Sequence, residues 1–421
     1  MRVVRARIAL PLDTPMSRLI RSLATAALAT VAIAPSLAAQ DDNNGPRARK
    51  VISIGHYPRV DGIRINYRDR DVDLVRGANI TIWSPYEDFN GGKVIGAAIG
   101  LPITVVGDLR GLGFGLAGVA AEDNMRGTSI GGLGVGAGGD MHGIMLGGVG
   151  VGAGRDVRGI AAGGIGVGAG GDLRGIAIGG IGTGIGGNMR GAAAGLIGVG
   201  TGGSARGIVA GGIGAGIGGE LRGIGFGGIG MGVGGGMRGI AIGGIGVAAG
   251  GSTRGAMLGG IGVGAGGSMR GLSVGGVGVG AGGSIRGITV GGFGVGAGDN
   301  IHGITVAGLG LGAGSTLSGI AVSGLGLGAP RIRGAVASLS VGTEHMRGVA
   351  IAPVLFRTAF GGDMVGASVS SVNWVRGDQR GLTIGLLNYA ERLRGVQIGA
   401  ININKNARGP FKVLPIINVG R

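Results

Sequence analysis

Hydrophobic and polar positions repeat with a period of sixteen residues through the middle of the chain. Residues 174–189 read RGIAIGGIGTGIGGNM, and the same pattern recurs in fourteen consecutive units whose first residues run from 110 to 318. Eleven units begin with Arg, the others begin with His142, His302 and Ser318, and the second residue is always Gly. A fixed period this short predicts a repeat architecture, in which each unit is stable only when it stacks on its neighbours.

Within one unit, the aliphatic positions predict two short strands joined by bends. Ile176 and Ile178 alternate with small residues, as in a strand that buries one face. Ile181 and Ile185 alternate in the opposite parity, and the glycine pair 179–180 lies at the switch. We therefore expect both strands to turn their aliphatic side chains into a shared core.

The other positions of the unit define its corner and its outer surface. Met189, just before the next arginine, is expected to point inward at a corner, and residues 186–188 supply the second bend with Gly and Asn. The outward positions hold small residues and predict a smooth surface with few features; examples are Gly182, Gly184, Ala177 and Thr289.

The pattern predicts an all-β fold, a β-solenoid built from 16-residue two-strand repeats. One unit would form one turn, and turns would stack about 4.8 Å apart. An antiparallel β-meander or a barrel-like sheet is the alternative, because the glycine pair also suits a two-residue hairpin loop. The solenoid is favoured because a meander of such short strands would leave an aliphatic face without a covering layer.

The regularity of the pattern divides the chain into six segments. The first resembles a secretory signal peptide, because Arg18 and Arg21 precede an uncharged apolar run, with Met16 as the expected start of translation. The division is 1–39 signal peptide, 40–58 linker, 59–109 degenerate N-terminal repeats and cap, 110–332 regular Gly-rich array, 333–379 irregular repeats, and 380–421 C-terminal 14-residue repeats and cap.

The C-terminal units share the motif G-(V/L)-x-(I/L)-G-(L/A)-(L/I)-N. They read RGLTIGLLNYAERL at 380–393 and RGVQIGAININKNA at 394–407. This segment resembles a leptospiral-type family of bacterial surface-repeat proteins, and the 16-residue array upstream resembles a variant of the same motif. The resemblance implies an exported envelope protein with no catalytic residues to carry over. The matching residues are Gly381, Leu382, Ile384, Gly385, Leu387, Asn388, Gly395, Val396, Ile398, Gly399, Ile401 and Asn402.

An invariant glycine at the ninth position of each array unit, from Gly118 to Gly326, suggests a backbone requirement. Asn388 and Asn402 stand at the equivalent position of the C-terminal units. Asn and Gly both tolerate left-handed backbone, so the pattern predicts a positive φ at this position.

Composition and charge favour an exported protein that meets anionic surfaces. Glycine accounts for 110 of the 421 residues and cysteine is absent, so disulfides are excluded, while a hydrophobic content of 44% supports a packed core. The net charge of +17 becomes +13 without residues 1–39. Such an excess attracts polyanions.

The single long polar side chain in each unit predicts a column of positive charge. We expect this column to be a candidate polyanion-binding stripe, with anionic polysaccharide or lipopolysaccharide as the partner. Its residues are Arg126, Arg158, Arg174, Arg190, Arg206, Arg222, Arg238, Arg254, Arg270 and Arg286.

The candidate motifs for catalysis, cofactor binding and metal binding all have simpler explanations in composition or in the repeat. G-x-G-x-x-G at 166–171 follows from composition, and no helix pattern follows it to receive a pyrophosphate. His142 and His302 occupy the arginine position of distant units and form no ligand cluster. The segment 343–379 holds Glu344, His345, Asp363 and Asp378, for which a loop or capping role is favoured over an acid–base site.

The sequence therefore predicts a non-enzymatic, exported surface or envelope repeat protein without cofactors. It would act as a structural or interaction rod at the cell surface, the outer membrane or the periplasm, without specific nucleic-acid binding. The alternative is a β-sheet or barrel embedded in the outer membrane. Membrane association stays open, as does the oligomeric state.

Overall fold

The computed structural model of the protein describes residues 51–86 and 91–421. The predicted signal peptide, Met16 and the first part of the predicted linker lie outside these residues. The described chain is a parallel β-solenoid of about 18 turns with repeats of about 16 residues, which confirms the predicted fold class. It divides into two compact units, one ending at Gly132 and one spanning Leu133–Arg421.

In the first unit, the degenerate repeats form solenoid turns. Gly62, Gly77 and Gly96 lie opposite one another in consecutive parallel strands, although the spacing of the turns is irregular in sequence. The strands of this unit are β1 (Ile52–Ile54), β2 (Arg59–Asn66), β3 (Leu74–Thr81), β4 (Lys93–Gly100), β5 (Ile103–Val106), β6 (Asp108–Gly115), β7 (Gly118–Ala121) and β8 (Met125–Gly131).

A buried polar cluster lies inside these first turns. The Arg64 guanidinium donates to Asp69 Oδ1 at 2.6 Å and to Asn79 Oδ1 at 3.0 Å. Asn66 and Thr81 donate to the same carboxylate. Arg64 and Asp69 are fully buried, so the ion pair is removed from water together with its hydrogen-bond partners.

In the second unit, each 16-residue turn contributes one long and one short strand. Long strands pair in parallel with the long strands of adjacent turns, so that Arg158 lies opposite Arg174. This parallel pairing replaces the antiparallel meander considered from the sequence. The long strands are β10 (Met141–Gly147), β12 (Val157–Gly163), β14 (Leu173–Gly179), β16 (Met189–Gly195), β18 (Ala205–Gly211), β20 (Leu221–Gly227), β22 (Met237–Gly243), β24 (Thr253–Gly259), β26 (Met269–Gly275), β28 (Ile285–Gly291), β30 (Ile301–Ala307) and β32 (Thr316–Ser323).

The short strands form the opposite wall of the solenoid and pair with one another in the same way. The expected bends fall between the strands, at the positions of the glycine pairs. The short strands are β9 (Gly134–Ala137), β11 (Gly150–Ala153), β13 (Gly166–Ala169), β15 (Gly182–Ile185), β17 (Gly198–Thr201), β19 (Gly214–Ile217), β21 (Gly230–Val233), β23 (Gly246–Ala249), β25 (Gly262–Ala265), β27 (Gly278–Ala281), β29 (Gly294–Ala297) and β31 (Gly310–Ala313).

The core between the two walls is thin. Leu173 and Ala177 reach into it from the long strand, and Thr183 and Ile185 reach into it from the short strand. Met189 is fully buried, as predicted for the corner. A Cβ atom on Gly179 would lie 1.9 Å from the carbonyl oxygen of Gly182, so the bend between the two strands is too tight for a side chain at this position.

The predicted direction of the side chains on the long strand was wrong. Ile176 and Ile178 are 41% and 49% exposed, Ile181 at the bend is 47% exposed, and Ala177 is fully buried. The reason is strand parity: Leu173 points inward and Arg174 outward, so residues two and four positions after the arginine must point outward with it.

The predicted small-residue skin was therefore only partly correct. Thr289, expected outside, is 1% exposed and lies in the core. Gly184 is exposed as predicted, and Gly182 is partly exposed. The outer surface has two faces, one aliphatic and one of glycine.

The glycine that follows each arginine has the special backbone. Gly175 has a φ of 136°, and the equivalent residues have positive φ from Gly62 to Gly395. A Cβ on Gly175 would also lie 1.9 Å from the carbonyl oxygen of Gly159 in the preceding turn. Both restrictions exclude side chains at this position.

The invariant ninth-position glycine, by contrast, does not need a positive φ. None of the described glycines from Gly118 to Gly326 at that position has one, and neither Asn388 nor Asn402 does. The prediction was wrong because the C-terminal units have fourteen residues rather than sixteen. Counting from their arginines therefore does not place Asn388 at the structural position of the ninth-position glycine of the array. Asn388 is fully buried, so its side chain points into the core.

Solenoid stacking continues through the segment that is irregular in sequence. A Cβ on Gly366 would lie 2.0 Å from the carbonyl oxygen of Gly348, the same approach that separates regular turns. The final elements are β33 (Gly326–Ala337), β34 (Ser340–Asn404), a short 3₁₀ helix (Gly409–Lys412) and β35 (Val413–Gly420), which pairs antiparallel with the last turn of β34.

Side-chain amides replace aliphatic packing inside the C-terminal turns. Asn373 Nδ2 donates to Asn388 Oδ1 at 2.7 Å, and Asn388 Nδ2 donates to Asn402 Oδ1 at 2.7 Å. A parallel contact joins Gln397 Nε2 to Gln379 Oε1 at 3.0 Å. The shared motif of these units therefore builds a hydrogen-bonded amide ladder along the solenoid axis.

Candidate anion-binding surface

The predicted arginine stripe forms a continuous column in the second unit. The long strands of adjacent turns are in register, so the arginines lie opposite one another from Arg158 to Arg286. Arg126 lies in the first unit, where it pairs with Arg110. The column in the second unit consists of Arg158, Arg174, Arg190, Arg206, Arg222, Arg238, Arg254, Arg270 and Arg286.

Carboxylates neutralise the column unevenly. Arg158, Arg174 and Arg222 each lie within 4.0 Å of the acidic residue two positions earlier, as in the pair of Arg222 and Glu220 at 3.0 Å. Further along, the same position holds Gly236, Ser252, Ser268 and Ser284. The chain contains no Asp or Glu between Glu220 and Asp299.

Six of the nine arginines in the column therefore lack a carboxylate partner, and four of them form an unbroken run at its C-terminal end. Among the described residues, the guanidinium groups of Arg238, Arg254, Arg270 and Arg286 have no hydrogen-bond or ion-pair partner. Neighbours about 4.8 Å apart repel by roughly 0.9 kcal/mol in water before screening by salt. An external anion would relieve this repulsion.

The outward aliphatic side chains lie on the same face as these four arginines. Ile240 and Ile288 project two residues after the arginine and are 41% and 49% exposed. A second column stands at the bend between this face and the short-strand wall and consists of Ile245, Ile261, Val277 and Phe293, which are between 45% and 56% exposed. Three of these residues, Ile245, Ile261 and Val277, line a groove together with glycines of the short-strand wall such as Gly232 and Gly264. We call the surface formed by the four arginines and the outward aliphatic side chains of their own strands the arginine–aliphatic face.

The short strands present a different outer face. A Cβ on Gly232, Gly264, Gly280 or Gly296 would meet no atom within 4 Å, so this wall is flat and open. Ala248 occupies the equivalent position in one turn. The two outer faces of the solenoid thus differ sharply in chemistry.

The acidic and polar residues that precede the arginines have a structural role. Asn188 N–H donates to Asp172 Oδ1 at 2.7 Å, and Ser204 N–H donates to Asn188 Oδ1 at 3.0 Å. Each side chain accepts the backbone N–H of the next turn, which explains why Asp, Asn and Ser interchange. Within residues 51–86 and 91–421, no three His, Cys, Asp or Glu side chains are arranged to hold a metal ion.

His142 and His302 take the place of arginine in the column. His142 lies opposite Arg158, and His302 lies opposite Arg286 and Ser318. They are in different turns far apart along the array, as the sequence indicated.

Two of the residues considered for an acid–base site do come together. His345 Nδ1 contacts the carboxylate of Asp363 in the next turn. Asp378 instead contacts the guanidinium groups of Arg380 and Arg392. Glu344 lines a different cavity from His345 and Asp363, so the four residues do not form one site.

The aliphatic part of the surface was missed because the larger side chains were assigned to the core. The necessary signal is present in the sequence. A charged Arg174 fixes the outward parity of its strand, and Ile176 and Ile178 share that parity.

No helix in the described part of the chain is long and apolar enough to cross a lipid bilayer. Comparison with known proteins finds no matching family model, no matching curated protein and no matching solved structure.

Proposed function

We propose that the protein is a non-enzymatic, exported envelope protein that lies on an anionic lipid surface through its arginine–aliphatic face. The observation that carries this proposal is the position of four unneutralised arginines beside exposed aliphatic side chains of the same strands, such as Ile240, Leu272 and Ile288. Cationic and apolar side chains on one face are what interfacial binding to an anionic membrane requires.

Electrostatic attraction would supply the first part of the binding energy. A Lys or Arg side chain near an anionic lipid surface contributes about 1 kcal/mol. Arg238, Arg254, Arg270 and Arg286 together would therefore contribute about 4 kcal/mol at low ionic strength. Salt weakens this part because it screens the exposed charges.

Partial burial of the aliphatic columns would supply the second part. A fully buried Ile, Val or Phe side chain is worth about 1.5–3 kcal/mol, and the side chains here are about half exposed. Clustered exposed apolar side chains rimmed by polar residues commonly mark interaction sites. This contribution persists at high salt.

The aliphatic columns favour a lipid surface over a soluble polysaccharide. A polysaccharide would neutralise the arginines but leave Ile240, Leu272 and Ile288 in water. Two copies of the chain docked through these faces would bring together two arginine columns, with no carboxylate between residues 221 and 298 to neutralise them.

Vesicle flotation of the full chain tests the proposal. We expect it to float with vesicles that contain phosphatidylglycerol, more strongly at low than at high salt, and to float poorly with pure phosphatidylcholine. Substitution of the four arginines by Gln should remove the salt-sensitive binding. Substitution of Ile240, Leu272, Ile288 and Val290 by Ser should remove the binding that persists at high salt.

A matched control uses the short-strand wall of earlier turns. Four serines in place of Gly136, Gly152, Gly168 and Gly184 add side chains where the structure has open space, and should leave flotation unchanged. Equal loss from this control would overturn the proposal. So would binding to a soluble anionic polysaccharide combined with no flotation on anionic vesicles, which would leave the arginine column as a polysaccharide site.

A further inference from the structure

A second basic column appears beside the first one near the end of the array. Arg331 lies opposite His345 in adjacent turns, and Arg333 lies opposite Arg347. His345 in turn contacts Asp363 through Nδ1. These five side chains line a cavity of about 250 Å³ whose floor includes the buried Ile332. We call it the arginine cleft.

The second column departs from the ladder that holds the regular turns together. Three residues before the positive-φ glycine, regular turns place an acceptor such as Asp172 or Asn188, which binds the next backbone N–H. Arg331 and His345 occupy this same position and cannot accept in that way when charged. Their presence brings positive charge to a place where the fold elsewhere uses an oxygen.

The charge of the arginine cleft is not satisfied internally. Among the described residues, the guanidinium groups of Arg331, Arg333 and Arg347 have no hydrogen-bond or ion-pair partner. The one carboxylate, Asp363, is already occupied by His345. The cleft therefore carries an excess of two positive charges with neutral histidine, and one more when the ring is protonated.

We propose that the arginine cleft binds a phosphomonoester group. Guanidinium groups present paired N–H donors that match phosphate oxygens, and a dianion matches the excess of two positive charges. The cavity is smaller than the range of about 300–1,000 Å³ typical of pockets for drug-sized ligands. It accommodates one phosphoryl group with the atoms next to it.

The role of Asp363 in this site is to position a ring rather than to meet the ligand. Its carboxylate accepts from His345 Nδ1, and the remaining Nε2 has no partner among the described residues. A protonated ring would then present Nε2–H to the anion. The site differs from the arginine–aliphatic face, since it holds a single group in a cleft.

Calorimetric titration of the full chain with phenyl phosphate tests the inference. Replacing Arg331 or Arg347 by Gln should weaken binding about tenfold or more, because each removes a charge-assisted contact. R110Q is the matched control, since Arg110 is an exposed arginine before a positive-φ glycine that lies outside both the arginine cleft and the arginine–aliphatic face, and it should bind as the unmodified chain does. Dimethyl phosphate, a diester with one charge, should bind more weakly than phenyl phosphate.

Two results would overturn the inference: phenyl phosphate binding unchanged in R331Q and R347Q, or equal binding of the monoester and the diester. Circular dichroism establishes that the variants keep their β structure. Vesicles containing phosphatidic acid distinguish the source of the group. If R331Q weakens flotation on phosphatidic acid, the group is a lipid headgroup; if it weakens only phenyl phosphate binding, the group is soluble. In both cases R331Q should float normally with phosphatidylglycerol vesicles, so failure here is separable from failure of the proposed lipid binding.

Discussion

Ala177 and Ile178 are consecutive residues of one strand, and the smaller of them lies in the core. Ala177 is fully buried, whereas Ile178 is 49% exposed. The solenoid is thin enough for alanine and glycine to fill much of its interior. Several larger aliphatic side chains, such as Ile176 and Ile178, are thereby left for the outer surface.

This arrangement predicts a sharp difference between two aliphatic truncations. Leu173→Ala should lower the free energy of unfolding by about 2–5 kcal/mol, because Leu173 is fully buried and its removal leaves a cavity. Ile178→Ala should change it by no more than about 0.5 kcal/mol, as is usual for surface positions. Urea unfolding followed by circular dichroism measures both. Equal costs would mean that Ile178 is buried.

Two glycine substitutions should also differ in their effect on stability. Gly175→Ala combines a φ of 136° with a Cβ 1.9 Å from the Gly159 carbonyl oxygen. It should destabilise the protein by about 2 kcal/mol or more, through backbone strain and overpacking. Gly184→Ala is the control, since its Cβ meets nothing within 4 Å and Ala248 occurs at the same position in another turn. Comparable thermal midpoints for the two variants would contradict the stacking described above.

The buried ion pair in the first unit should respond strongly to loss of one partner. Burial lowers the pKa of the Arg64 guanidinium, and the Asp69 carboxylate opposes that shift. Asp69→Asn leaves the buried cation without its counter-charge and should cost about 3–5 kcal/mol in a denaturant titration. Asp73→Asn removes the partner of Arg59 from a pair that is about half exposed, and should cost about 1 kcal/mol or less.

The amide ladder predicts a cost for an aliphatic residue in the C-terminal core. Asn388→Leu keeps a similar volume but removes the donor to Asn402 Oδ1 and one acceptor of Asn373 Nδ2, at about 1–3 kcal/mol for the buried oxygen left unpaired. Hydrogen exchange should increase in the C-terminal turns. Asn406→Ala, at an exposed site, should leave exchange there unchanged. Unchanged exchange in Asn388→Leu would show that the ladder adds nothing to stability.

The sequence was sufficient to predict the solenoid, its period and the arginine column. An unbroken spacing of sixteen requires equivalent residues to stack, and Met189 could be assigned to a corner because the residue before the arginine is apolar in nearly every unit. The prediction failed on which residues of the long strand point into the core. Hydrophobicity assigned Ile176 to the core, whereas the alternation from Leu173 and Arg174 assigns it to the surface, and the narrow interior decides for alternation.

Contacts between turns outside the exact repeat were not predictable in the same way. His345 and Asp363 are eighteen residues apart, a spacing that no regular unit uses. The cavity beside them also depends on Arg331 and Arg333, which fall in register only because an earlier turn is shortened. The local sequence pattern does not determine such a register, because the register depends on the number of residues in each turn.

Because successive turns pair residue for residue, the number of turns can change without a change in the structure of any single turn. Deleting or duplicating one whole turn, such as residues 254–269, would join Arg238 to Arg270 or add one more arginine, and the core would remain continuous. Each copy adds the same small set of contacts, so avidity for an extended surface would rise steeply with copy number while the affinity of any single turn stays constant. The number of repeats, rather than the identity of any residue, would then set how firmly the molecule is retained.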